Sequence, residues 1–223
     1  MQSLKSTILI VIVAVCAAFT VQPAKADLFS FDLTIGNTAI SPFPGPYAHV
    51  EVDRTSTSTA TITFTSLTSG TNIYLMGDGA TAAVNVSGAF TLGAISGSNS
   101  GTGFTPGPFS DGGAGNVTQF GVFDLTINSF DGFTHSSVFV SFDLTGGNWA
   151  DAASVLTANN NGFLAAAHIF VTTTVGGVNA KNGAIATGFA GNGGGTLPDS
   201  GTTAMLLGAA LTGLGVMRRY LKR

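Results

Sequence analysis

The seven residues Thr59-Ala60-Thr61-Ile62-Thr63-Phe64-Thr65 alternate polar and apolar without a break. In an extended chain successive side chains point to opposite faces, so Ala60, Ile62 and Phe64 share one face and the threonines the other. A helix would scatter the same three apolar residues around its axis, so the pattern predicts a half-buried antiparallel strand. Similar segments rich in Thr, Val, Phe and Ile recur between clusters of Gly, Asn, Asp and Ser. They run Leu28 to Ile35, Tyr47 to Asp53, Thr71 to Met76, Ala82 to Val86, Phe90 to Ile95, Val117 to Ile127, Ser136 to Leu144, Ala166 to Val175 and Ala184 to Phe189. Many short strands with no long helical period predict an all-β domain, an antiparallel β-sandwich or jelly roll. Trp149 to Thr157 is expected to form a short helix, and Gly93 to Gly115, rich in Gly, Ser and Pro, a long exposed loop.

The tetrapeptide Phe-Asp-Leu-Thr begins at Phe31, Phe123 and Phe142, each time placing Phe and Leu on one strand face. The copies lack a fixed period, so they read as strand grammar and not as a repeat array. Asn128 to His135 is expected to turn the second copy back on the third as a hairpin.

Both ends depart from strand chemistry. Lys5 precedes an apolar run from Ile8 to Phe19, and Ala24-Lys25-Ala26 follows Pro23. This is the order of a secretory signal peptide, with signal peptidase expected to cut between Ala26 and Asp27. Cys16, the one cysteine of the chain, lies within that run after Val15, so the mature protein is expected to hold no disulfide, Cys nucleophile or thiolate metal site. At the other end a Gly-rich linker, 191–196, leads to Leu197-Pro198-Asp199-Ser200-Gly201, an apolar stretch from Thr202 to Met217, and the basic cluster Arg218, Arg219, Lys222 and Arg223. As a helix those sixteen apolar-stretch residues would be about 24 Å long. A hydrocarbon core is about 30 Å thick, a gap that local thinning and snorkelling arginines close. The cations hold such a helix by its cytoplasmic end and leave the preceding chain outside. The division expected is therefore a signal peptide at 1–26, a β domain at 27–190, the linker, and a sorting signal at 197–223 with a transmembrane helix.

The tail resembles the PEP-CTERM class of sorting signals in its Val-Pro-Asp-Ser-Gly variety, with Leu197 standing where Val is usual. The resemblance implies a Gram-negative-type envelope, recognition by a membrane-embedded exosortase, and frequent association with exopolysaccharide. A sortase signal of the form Leu-Pro-any-Thr-Gly fits less well, since Ser200 occupies the Thr position.

Charge excludes one class of partner. Between Asp27 and Ser200 only Arg54 and Lys181 face all eleven acidic residues, a formal net charge of −9. Such a body repels a phosphate backbone, so nucleic acid is not expected as a partner.

No nucleophile elbow, phosphate loop, zinc-protease helix or EF-hand loop is present. His49, His135 and His168 are far apart in sequence and read as structural histidines, with no metal site expected. Glu51 with Asp53 on one strand face, or Asp78 or Asp111 in Gly-rich turns, offer Ca²⁺ oxygen ligands, although solvated turn carboxylates are the plainer reading. Asp78 and Asp111 are also the acid pair a glycan hydrolase would need. Trp149, Tyr47 and Tyr74 would stack on sugar rings if exposed, whereas the phenylalanines read as core. Asn85 and Asn116 head N-glycosylation-type triplets of little force in a bacterial protein. The expectation is an exported surface or matrix protein without catalytic activity, membrane-held by its tail until processed. The alternatives are a polysaccharide-binding module and a glycan hydrolase.

Overall fold

The computed structural model describes residues 27–98, 109–129, 138–173 and 183–193. They are all-β and antiparallel, in twelve strands joined edge to edge. β1 (Asp27–Gly36), β2 (Ala48–Ser56) and β3 (Thr59–Ser66) form a meander, and β4 (Thr68–Ser69) and β5 (Asn72–Met76) a short hairpin. Then come β6 (Asp78–Val84), β7 (Thr91–Ser98), β8 (Ser110–Val117), β9 (Gly121–Ser129), β10 (Phe139–Thr145), β11 (Ala165–Thr172) and β12 (Ala186–Asn192). The order across the sheet is β7-β10-β3-β2-β1-β12-β11-β6-β9-β8, with β5 also on β11.

The alternation of β3 does what its period requires. Ala60, Ile62 and Phe64 are buried, while Thr63 Oγ1 meets Ser141 Oγ of β10 at 3.0 Å on the opposite face. Phe64 stacks on Phe142 with ring centroids 6.3 Å apart, so the two strands are joined on both faces. One core collects Val50, Ile62, Phe64 and Val140 from one half of the sheet and Val84, Ile127 and Ile169 from the other. The halves therefore face each other across a shared interior, a sandwich-like arrangement.

β11 is buried at all eight positions. Its Ala165, Ala167, Ile169 and Val171 enter that core. Ala166, on the other face, enters a second small cluster with Ala80, Val117, Phe120 and Phe123. A strand covered on both sides loses its polar alternation, which is why Ala165 to Thr172 reads as a nearly continuous apolar run.

Several expectations are corrected. Gly93 to Gly115 is not one loop, because β7 extends to Ser98 and β8 begins at Ser110. β8 is a Gly-rich strand stitched to β9, where Thr126 Oγ1 donates to Gly113 O at 3.0 Å. The second and third Phe-Asp-Leu-Thr copies form no hairpin. β9 pairs with β6 and β8, β10 with β3 and β7. Trp149 to Thr157 forms no α-helix, only a single 3₁₀ turn, Ala152–Ser154, started by a capping box at Asp151 and Ser154 and ended at the C-cap Val155. The signal segment, the linker beyond Gly193 and the C-terminal apolar stretch lie outside the described residues. Among the described residues no helix is long and apolar enough to cross a membrane.

Candidate functional site

Where β6 leaves the turn after β5, its first residues take backbone conformations that side chains disfavour. Asp78 has φ +60° and Ala80 φ +54°, flanking Gly79. A left-handed residue bearing a Cβ costs about 1–2 kcal/mol, so neighbouring contacts must hold it. They do: Ala80 N donates to Asn128 Oδ1 of β9 at 2.8 Å, and Thr81 Oγ1 to Asp78 O at 2.7 Å. The β6–β9 register shifts between Asp78 and Ala82, the mark of a bulge that re-aims a side chain.

The re-aimed carboxylate faces His168 of β11, with Asp78 Oδ2 3.7 Å from His168 Nδ1. The His168 side chain is only 11% exposed. It lies against Phe189 of β12 at 4.4 Å between centroids, and against Phe170 at 4.6 Å. Its Nε2 is 2.9 Å from Thr187 Oγ1, whereas its buried Nδ1 makes no hydrogen bond. Burial pushes the His168 pKa down to about 4, the Gly79 backbone weakly opposing. Burial also raises the Asp78 carboxyl, against a lowering by the Gly79 backbone. At neutral pH the imidazole is thus uncharged.

Both groups open on a cleft of about 340 Å³ that Asn116, Thr126, Asn128 and Phe189 also line. The close approach of β8 and β9 beneath it needs glycine. A Cβ at Gly112 would sit 2.3 Å from both Thr126 Oγ1 and Asn128 Nδ2.

The other residues singled out from sequence fall elsewhere. His49 is satisfied, its Nδ1 2.6 Å from Asp32 Oδ1 across the β1–β2 pair on a half-exposed face. His135 lies outside the described residues. Glu51 and Asp53 share the outer face of β2, the first exposed, the second partly buried with Oδ1 unbonded. Asp111 spends one oxygen on Gly113 N–H at 2.7 Å in its own strand and does not line the cleft with Asp78. Trp149, Tyr47 and Tyr74 are buried, so the sugar-stacking reading is corrected. The indole Nε1 donates to Ser87 O at 2.8 Å, the Tyr47 hydroxyl to Phe43 O at 2.6 Å and the Tyr74 hydroxyl to Pro44 O. Amphipathic rings go inside when the interior offers each polar tip an acceptor. Asp27 begins β1, and its Oδ2 accepts from Ala152 N at 2.7 Å. Ala24 and Ala26, the sorting residues Leu197 to Gly201 and the basic cluster Arg218 to Arg223 lie outside the described residues.

Sequence reasoning named Asp78 and His168 separately and missed their pairing. A lone His within the apolar run of β11 and an Asp between Gly77 and Gly79 were the available signals. Neither says which strand the other neighbours.

Comparison with known proteins locates one likeness: residues 198–221 match the VPDSG-CTERM motif. No curated protein and no solved structure matches the chain. The C-terminal segment therefore carries a sorting motif, and the likeness is confined to it.

Proposed function

We propose that this chain is an exported surface or matrix protein, whose β body is carried outward and whose tail is recognised and processed by an exosortase, with no catalytic activity of its own. The match of residues 198–221 to the VPDSG-CTERM motif carries the reading. The order of motif, apolar stretch and basic cluster supports it physically. A sixteen-residue apolar segment followed at once by cations stalls in a bilayer with its basic end inside. The motif preceding it then sits at the outer membrane surface, within reach of a membrane-embedded peptidase. The acidic body suits display, since its charge keeps copies apart and away from polyanions.

Replacing Pro198, Asp199 and Ser200 together by alanine tests this in a host that carries the exosortase. The unaltered chain is expected to yield a shortened product at the surface or in the medium, and the variant a longer product retained in the membrane fraction. Identical processing of both chains, or an untrimmed chain in the cytosol, would overturn the reading.

A further inference from the structure

We infer that the cleft between β6, β8, β9 and β11 is a binding site for a neutral saccharide unit, with the Asp78 carboxylate accepting from adjacent sugar hydroxyls and the Asn116 and Asn128 amides engaging the hydroxyls beside them.

The lining sets the ligand's chemistry. Asp78 brings acceptors, Asn116 and Asn128 bring amides that both donate and accept, and Thr126 brings a hydroxyl. Hydroxyl groups donate and accept too, so neighbouring hydroxyls on one ring satisfy a carboxylate and an amide together. A cation finds no use for the amide N–H groups, and an anion is repelled by Asp78 and by the acidic body. Burial raises the Asp78 carboxyl because water solvates it poorly there, and hydroxyl donors from a ligand replace the solvation that water no longer gives. The Phe189 ring, stacked on the His168 imidazole at 4.4 Å between centroids, gives the cleft an apolar wall for the C–H face of a sugar. Its volume of about 340 Å³ lies at the small end of ligand sites, which run from about 300 to 1,000 Å³, and suits a short saccharide.

The backbone is shaped to aim these groups. Asp78 and Ala80 hold left-handed conformations on either side of Gly79, and strain of this kind clusters at ligand clamps, where a side chain must be pointed. Asn128 ties the strained turn down, since its Oδ1 takes the Ala80 N–H at 2.8 Å. One amide thus fixes Asp78 and lines the cleft with it. Glycine opens the wall formed by β8. A Cβ at Gly112 would meet Thr126 Oγ1 and Asn128 Nδ2 at 2.3 Å, and one at Gly115 would meet the Thr126 methyl group at 2.9 Å. Without those Cβ atoms the polar side chains of β9 stand where β8 would otherwise cover them. The cleft lies wholly in the β body, so its binding is independent of how the tail is processed.

The test uses the full chain in a detergent whose headgroup carries no sugar. Neutral and acidic glycans are screened on an array, and those bound are titrated calorimetrically beside the methyl glycoside of the same sugar and methylguanidinium. Saturable binding of a neutral glycan is expected. Saturation by the methyl glycoside as well would mark a free sugar as sufficient, and saturation by the glycan alone would mark a longer chain. D78N is expected to weaken binding by about 10- to 100-fold and N116A by about 2- to 10-fold, while E51Q, on the outer face of β2, leaves it unchanged. Circular dichroism checks that each variant is folded, and N116A, which alters an exposed side chain, decides the matter should D78N fold poorly. Absence of saturable binding to any neutral glycan would overturn the assignment, as would undiminished affinity in both D78N and N116A. Binding confined to methylguanidinium and lost in D78N would overturn it too, and would give the cleft to a basic group instead.

Discussion

His168 makes this domain sensitive to acid. Its pKa lies near 6.5 in the unfolded chain and is lowered to about 4 by burial. The unfolded state therefore takes up a proton between those values that the folded state refuses. Stability from this group is fully present above pH 6.5, falls as pH drops from 6.5 toward 4, and amounts to roughly 3 kcal/mol over the window. Asp78, whose carboxyl is raised, works oppositely at the acid end, because its folded form gains a proton first. Urea unfolding at pH 7 and pH 4.5 is expected to show a larger loss for the unaltered protein than for H168Q; equal losses would refute the buried neutral imidazole. A second residue-scale prediction concerns Gly147, where a Cβ would lie 2.2 Å from the Trp149 ring. Because the indole is buried and tied to Ser87 O, it cannot swing aside, and G147A is expected to cost about 1–3 kcal/mol in urea unfolding.

The strands divide into those whose partners follow from local pattern and those whose partners do not. β3 was legible because its apolar residues alternate without interruption, and its buried face follows from that pattern. F64A is accordingly expected to remove about 3–5 kcal/mol, since the ring is fully buried against Phe142. D32N, which weakens the half-exposed pair with His49, is expected to change stability by less than about 1 kcal/mol. A fall in melting temperature as large as that of F64A would show that the pair is buried in solution. β9 and β10 share four residues and a face pattern, yet join different neighbourhoods. Leu125 lies opposite Val84, and Leu144 opposite Ala60 and Leu92. Side-chain period assigns a face, but it does not say which edge a strand will meet. β8 was missed because its Gly-rich sequence, Ser110 to Val117, has no alternation to read, and only its ladder to β9 makes it a strand.

At the scale of the molecule, the body is a cysteine-free β domain, because Cys16 lies in the N-terminal apolar run. Reducing agent is therefore expected to leave its melting temperature unchanged, and a shift of several degrees would point to cross-linking between chains. Stability must come from packing, and the two halves of the sheet provide it around one core, with the second cluster covering the other face of β11.

Local chemistry determined the all-β class, most strand positions, the sorting motif and the acidity, because alternation, spacing and charge are properties of neighbouring residues. Tertiary structure alone decided the order of strands in the sheet, the burial of Trp149, Tyr47 and Tyr74, and the meeting of Asp78 with His168. The last two residues are ninety positions apart on strands joined by only two register pairs. Such a contact depends on how the whole sheet closes, and no short window of sequence contains that information.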